Sequence, residues 1–177
     1  FRYFKQRFAQ VTNPPVDPIR EEIVMSMVSA VGGENNLLDE TAEQCALVQL
    51  PHPILTGEDI AKVREKLPAL FAAGTLPMLF DVPAPGDPKD WPDLAGAALH
   101  DGIQALCKAA SNAIDGGARI LILSDRGASE KRAAIPSLLA VSAVHHHLIR
   151  AGRRMRAGIL VESADPREVA HVALLVG

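Results

Sequence analysis

The apolar runs ILIL (120–123) and GILV (158–161) constrain this chain more than any other feature. A strand with one face in water alternates apolar and polar side chains, and these two do not alternate. Both of their faces must therefore be covered, which is the pattern of a parallel sheet held between layers. Parallel strands need long crossovers of right-handed sense, and the segments between the runs carry helical spacing. The expected fold is α/β: a mostly parallel sheet with crossover helices.

The order of elements follows from that frame. RILILS (119–124) and RAGILVES (156–163) read as strands, and MLFDV (78–82) as another. After MLFDV, residues Leu99, Ile103, Leu106, Ala110 and Ile114 form one helical stripe that Gly116-Gly117 closes. Pro136 opens a further helix running to Gly152, and Asp165-Pro166 with Glu168 resembles a capping box for a last one. Upstream, CALVQL (45–50) suits a short strand, and Thr56 with Asp59 forms a capping box ahead of Ile60, Val63 and Leu67. Asp17 fits an N-cap with Pro18 at the first helical position, and Ile19, Ile23, Met27 and Val31 predict a helix over about 18–31. The stretch DVPAPGDPKDWPDL (81–94) reads as a proline-rich surface loop. Three clear strand–helix units and a weaker fourth are too few for an eight-fold barrel, so an open sheet and part of a barrel both satisfy the pattern. One domain over 1–177 is expected from length. The opening on Phe1 and the stop at Gly177 after VALLV read as cuts from a longer protein.

Charge and cysteine usage exclude several function classes. Eighteen Lys and Arg against 21 Asp and Glu give a net charge of -3, which provides no field for nucleic acid or an anionic membrane. The densest basic cluster, Arg150, Arg153, Arg154 and Arg156, lacks interleaved aromatics and reads as a solvated helix end. No apolar run reaches membrane-helix length. Cys45 and Cys107 are far apart with no CxxC spacing, so the expected setting is cytoplasmic, without disulfides or zinc.

Chemistry in a parallel sheet gathers beyond the carboxyl ends of its strands. Those tips carry Asp81, Ser124-Asp125-Arg126 and Glu162-Ser163. Asp125, Arg126 and Glu162 could hold a polar ligand, since the guanidinium fork matches a carboxylate or phosphate and the acids are general-base candidates. The plainer reading has Asp125 paired with Arg126, and Asp81 and Glu162 serving loops. His145, His146 and His147 are consecutive, and side chains about 100° apart on a helix cannot converge on one metal. Neither a phosphate-loop motif nor a hydrolase elbow is present, and no catalytic constellation is complete.

The block FRYFKQRFAQVTNPPVDPIREEIVMSM (1–27) resembles the central domain of glutamate synthase large subunits. The likeness continues through GGENNLL (32–38), LILSDR (121–126), IPSLLAVSAVHHHLIRAGRR (135–154) and VESADPREVAHVALLVG (161–177). The resemblance implies a partial or degenerate (β/α) barrel lying between a glutaminase domain and an FMN domain of the same chain. It implies a parent that makes two glutamates from glutamine, 2-oxoglutarate and reductant, with FMN and an iron-sulfur cluster bound outside this fragment. The parent's partner would be a reductant-supplying small subunit or ferredoxin. The resemblance further implies that TNPP lies near an ammonia route, with Thr12 and Asn13, and less strongly Gln10, as wall residues. By that reading the fragment binds no cofactor and is inactive alone. The alternative is a small independent α/β ligand-binding domain or enzyme using Asp125, Arg126 and Glu162.

Overall fold

Ile120–Ser124 (β5) forms the centre of the structure because nothing in it can face water. In the computed structural model, which describes residues 17–34, 36, 38–65, 71–84, 87 and 89–177, all five of its residues are buried. Two strands flank it in parallel: Ala73–Pro77 (β3), from Ala73 opposite Ile120 to Pro77 opposite Ser124, and Gly158–Glu162 (β7), from Gly158 opposite Ile120 to Glu162 opposite Ser124. The order is β3-β5-β7, so each crossover moves the chain one strand in the same direction.

Two different layers cover this sheet. On one face Leu121 and Leu123 pack with Leu106, Ala110 and Ile114 of Trp91–Asp115 (α3) and with Val144 and Leu148 of Ser137–Arg150 (α4). On the other, Ile120 and Ile122 pack with Ile60 and Val63 of Gly57–Glu65 (α2). Val31 and Val48 join them from the antiparallel pair Ser29–Gly32 (β1) and Leu47–Leu50 (β2). Each fully buried aliphatic side chain of β5 contributes about 2 kcal/mol by removal from water, and losing either layer would forfeit half of them. The expected α/β fold with a parallel sheet and crossover helices is what forms. Among the described residues the strands do not close into a barrel.

Several boundaries differ from expectation. The helix expected over about 18–31 stops early: Pro18–Val24 (α1) is helical, capped by Asp17, whose carboxylate accepts the Ile19 amide at 3.0 Å. Ile19 is 77% and Met27 65% exposed, so neither of these two stripe residues finds a surface to bury against. Val31 instead gains a partner in Val48 across β1 and β2, and tertiary pairing overrides the helical spacing. MLFDV is not the sheet strand; β3 is AGTLP, and Leu79–Asp81 (β4) turns away to pair antiparallel with Arg132–Ala134 (β6). Strand β6, RAA, was not expected because it is short and has no apolar alternation. The loop over 81–94 ends sooner than expected, since α3 begins at Trp91 with Pro92 in its first turn. Val169–Val176 (α5) starts beyond the capping box expected at Asp165, whose carboxylate is engaged elsewhere.

The Thr56 and Asp59 capping box forms as expected. Thr56 Oγ accepts the Asp59 amide at 3.2 Å while Asp59 accepts the Thr56 amide at 3.1 Å. The Thr56 hydroxyl also donates to the Asp59 carboxylate and, with the backbone bond and Lys62, holds its pKa at about 2. No helix among the described residues is long and apolar enough to cross a membrane.

Helix α3 rides so close over β4 that a Cβ at Gly102 would stand 2.5 Å from the Phe80 Cβ, whereas one at Gly96 meets nothing within 4 Å. Exposed Gly96→Ala should therefore stabilise the chain by about 0.5–1 kcal/mol through reduced backbone freedom. The same substitution at Gly102 should destabilise by about 1–3 kcal/mol, because overpacking outweighs helix propensity. Urea unfolding of the two variants reads opposite signs for one chemical change.

Candidate functional site

The carboxyl ends of the parallel strands converge on a single carboxylate. Glu162 closes β7 beside Ser124 at the end of β5, and register places both on the face that α2 covers. Arg64 in the last turn of α2 reaches across to donate to both Glu162 oxygens, at 2.5 Å from Nη2 and 3.4 Å from Nη1. The same arginine donates from Nε to the Thr75 hydroxyl of β3 at 3.2 Å. From the other side Arg126 Nε donates to Glu162 Oε1 at 2.7 Å, and the Ser124 hydroxyl to Oε2 at 2.6 Å. Ser124 Oγ in turn accepts the Arg126 amide at 3.2 Å.

With its side chain only 12% exposed, Glu162 feels two opposing effects. Burial pushes its pKa up, but the hydrogen bonds from Arg64, Ser124 and Arg126 and the charge of Arg64 outweigh it, bringing the value from 4.5 down to about 2. The Arg126 guanidinium is correspondingly held above its ordinary value by the hydrogen bond to Glu162 and the charge behind it. A carboxylate this strongly held in its charged form is a poor general base near neutral pH. Its chemistry is that of a clamp: one charge joins helix α2, strand β5 and strand β7.

The neighbouring acids are also engaged. Asp125 accepts the Ser163 hydroxyl at 2.6 Å, and Ser163 Oγ accepts the Asp165 amide at 3.1 Å. Asp165 accepts the hydroxyl of buried Ser137 at 2.9 Å and its amide at 3.3 Å, so it caps the start of α4. Of the three expected ligand-site residues, Arg126 and Glu162 meet directly, while Asp125 turns to Ser163. The expected pairing of Asp125 with Arg126 is replaced by Arg126 with Glu162, because Glu162 lies at the strand end where the guanidinium can reach both it and solvent. Asp81 is not at the sheet tips at all; it stands on the β4–β6 ribbon, 3.6 Å from Arg132. Arg64 escaped sequence reasoning, being 98 positions from Glu162 with only a charged helix end to mark it.

The histidine run divides among three partners. His145 Nδ1 accepts from Arg154 Nε at 3.0 Å, His146 sits edge-on to His145 with centroids 5.2 Å apart, and His147 Nε2 lies 2.9 Å from the Ser111 hydroxyl of α3. Burial, with the charges of Arg154 and His146, lowers the His145 pKa and favours the neutral ring that this acceptor geometry needs. Arg153 and Arg154 are not the solvated helix end expected of them: Arg153 pairs with Asp115 at 2.8 Å and Arg154 also donates to the Ala157 carbonyl. Gln10, Thr12 and Asn13 lie outside the described residues.

Beside the Glu162 cluster runs an open groove of about 1030 Å³ along β7, with α4 and α5 on one side and β1 and the loop after β2 on the other. Its lining mixes aliphatic side chains with polar and charged ones, among them Glu34, Arg126, His145, His146, Arg154 and Glu162.

Comparison with known proteins gives a consistent result. A family model described as the glutamate synthase central domain matches residues 1–177. The ferredoxin-dependent glutamate synthase of Pyropia yezoensis is 41% identical over 179 residues, covering 100% of this chain and 11% of that protein. The glutamate synthase [NADPH] large chain of Bacillus subtilis is 38% identical over 177 residues, covering 100% of this chain and 11% of that protein. The glutamate synthase [NADH] of Saccharomyces cerevisiae is 38% identical over 179 residues, again covering 100% of this chain and 8% of that protein. The chain thus spans about a tenth of the length of these relatives.

Because the folded pKa of Glu162 is depressed, its contribution is fully present above the unfolded value near 4.5 and is lost as pH falls through about 2. Glu162→Gln should lower stability at neutral pH by on the order of 2 kcal/mol and flatten the acid limb of the stability curve between those values. Chemical unfolding at pH 7, 4.5 and 2.5 checks this: equal losses at all three pH values would show that the clamp is not electrostatic.

Proposed function

The chain belongs to the glutamate synthase central-domain family, and from that premise we propose that it is the non-catalytic region joining a glutaminase domain to an FMN-bearing synthase domain. The observation that carries this reading is the full-length family match combined with a span of only 8 to 11% of relatives that are themselves named as synthases. The parent reaction would convert glutamine, 2-oxoglutarate and two reducing equivalents to two glutamates, with FMN and the iron-sulfur cluster carried by other regions. Relatives whose names specify ferredoxin, NADPH and NADH match at similar identity, so identity over this region does not distinguish the electron donor.

The Glu162 cluster supports a structural role. A carboxylate fully occupied by Arg64, Arg126 and Ser124 stiffens the sheet end that would face a neighbouring domain. A ligand site at Asp125, Arg126 and Glu162 has less in its favour, since Asp125 and Glu162 are each engaged within the fold. The proposed cytoplasmic setting is supported by two free thiols, Cys45 exposed and Cys107 buried.

Ammonia released from glutamine must stay unprotonated to attack a carbonyl, so its route must be shielded from bulk water. Thr12-Asn13-Pro14-Pro15 is stiffened by its prolines and carries small polar side chains. In this reading Thr12 and Asn13, with Gln10 beside them, wall that route. Replacing Thr12 and Asn13 with tryptophan in the full synthase should leave glutamine hydrolysis running while glutamate formed per glutamine consumed falls several-fold and free ammonia accumulates. Unchanged coupling between the two half-reactions would remove the tunnel role.

A further inference from the structure

The parallel sheet has two edges, and they are built differently. In the parallel pairing of β5 with β7, the Gly158 amide donates to the Arg119 carbonyl and the Glu162 carbonyl accepts the Asp125 amide. Backbone groups alternate along a strand, so Gly158, Leu160 and Glu162 address β5 while Ile159 and Val161 point their amides and carbonyls outward. On β3 the Met78 amide donates to the Ser124 carbonyl, so Ala73, Thr75 and Pro77 are the outward set there. Pro77 has no amide to offer, a common device for blunting an edge. The outward set of β7 contains neither proline nor lysine, and among the described residues no strand pairs with it.

Helix α5 carries the same signature. Its sequence VAHVALLV is apolar except for one histidine, yet none of its eight residues is buried, with Val169 87% and Val176 66% exposed. A crossover helix covers the strand before it and the strand after it. Helix α5 packs against α4 and leaves much of its own apolar surface open.

The groove along β7 lies open beside this edge. Leu174 and Leu175 of α5 line one wall, Val31 of β1 the other, and β7 lies between them. Parts of both layers that sandwich β5 thus line the groove beside the unpaired edge of β7.

We propose that the outward edge of β7 receives a fourth parallel strand, an aliphatic segment that follows α5 in the longer synthase polypeptide. The direction is set by the fold: β3, β5 and β7 each step one place the same way through a helix, and a right-handed crossover through α5 delivers the next strand to this edge. The incoming strand bonds to Ile159 and Val161 and covers the exposed side of α5. The proposal rests on the chain being one region of a longer synthase polypeptide, and not on the ammonia route.

Site-resolved hydrogen exchange tests it. In the full synthase polypeptide the Ile159 and Val161 amides should exchange as slowly as those of Leu160 and Glu162, and roughly 100-fold or more slower than in the 177-residue chain. Ending the full polypeptide at Gly177 should release that protection. Val161→Pro removes no ladder bond from the 177-residue chain, so apart from the packing Val161 gives the main core it should leave that chain folded, but expose the Ile159 amide in the full polypeptide. Rapid exchange at Ile159 and Val161 in the full polypeptide overturns the proposal. So does protection that survives truncation at Gly177, which would assign the edge to a different segment. Protection in the 177-residue chain that grows with protein concentration would assign it to a second copy. These readouts are independent of whether glutamine hydrolysis stays coupled to glutamate synthesis.

Discussion

Complete burial of β5 is the constraint on which the rest of the molecule depends. Its aliphatic side chains point alternately to opposite faces, so two unrelated layers must exist at once to keep them from water. Helices α3 and α4 supply one layer in the usual manner of a crossover fold. The other is assembled from less regular parts, helix α2 and the β1–β2 pair, whose Val31 and Val48 supply apolar surface where no crossover helix is available. This accounts for the loss of the longer helix expected near the start of the described region. Val31 is worth more as a strand residue against the second core than as the last rung of an exposed helical stripe.

A second constraint acts where the strands end. Three strands stop within reach of one another, and their polar tips must be satisfied with little water. Glu162 resolves this by accepting from Ser124, Arg64 and Arg126 together, tying α2 to β5 and β7 through one negative charge. A buried carboxylate is costly unless its lone pairs are filled, and here the filling groups are themselves anchored, Arg64 on Thr75 and Ser124 on the Arg126 amide. Residues that a motif search marks as reactive are thereby used to join elements. That use agrees with a region whose relatives are many times longer and whose chemistry, on the proposed reading, lies in neighbouring domains.

The sheet's asymmetry links the fold to its wider context. One edge is blunted by Pro77, and the other presents outward-facing amides and carbonyls on β7, near an apolar helix with no fully buried residue. A sheet with one blunted and one unblunted edge is the basis for the proposed fourth strand.

How much of this was legible in sequence depended on the range of the interactions concerned. The parallel sheet could be read from ILIL and GILV, the Thr56–Asp59 cap from a three-residue spacing, the α3 stripe from its period, and the family from the opening block. Each is a local pattern imposed by backbone geometry or desolvation along a few consecutive residues. Which strand of the AGTLPMLFDV segment joined the sheet, where the helix after Asp17 stopped, and that RAA would pair with β4 were decided by partners distant in sequence. The same holds for the clamp: Glu162 and Arg126 were visible as strand-tip residues, but only tertiary structure brought Arg64 to them and turned Asp125 away. A charge's partner is set by distance in space, and sequence separation carries almost no information about that distance until the sheet has placed its strand ends side by side.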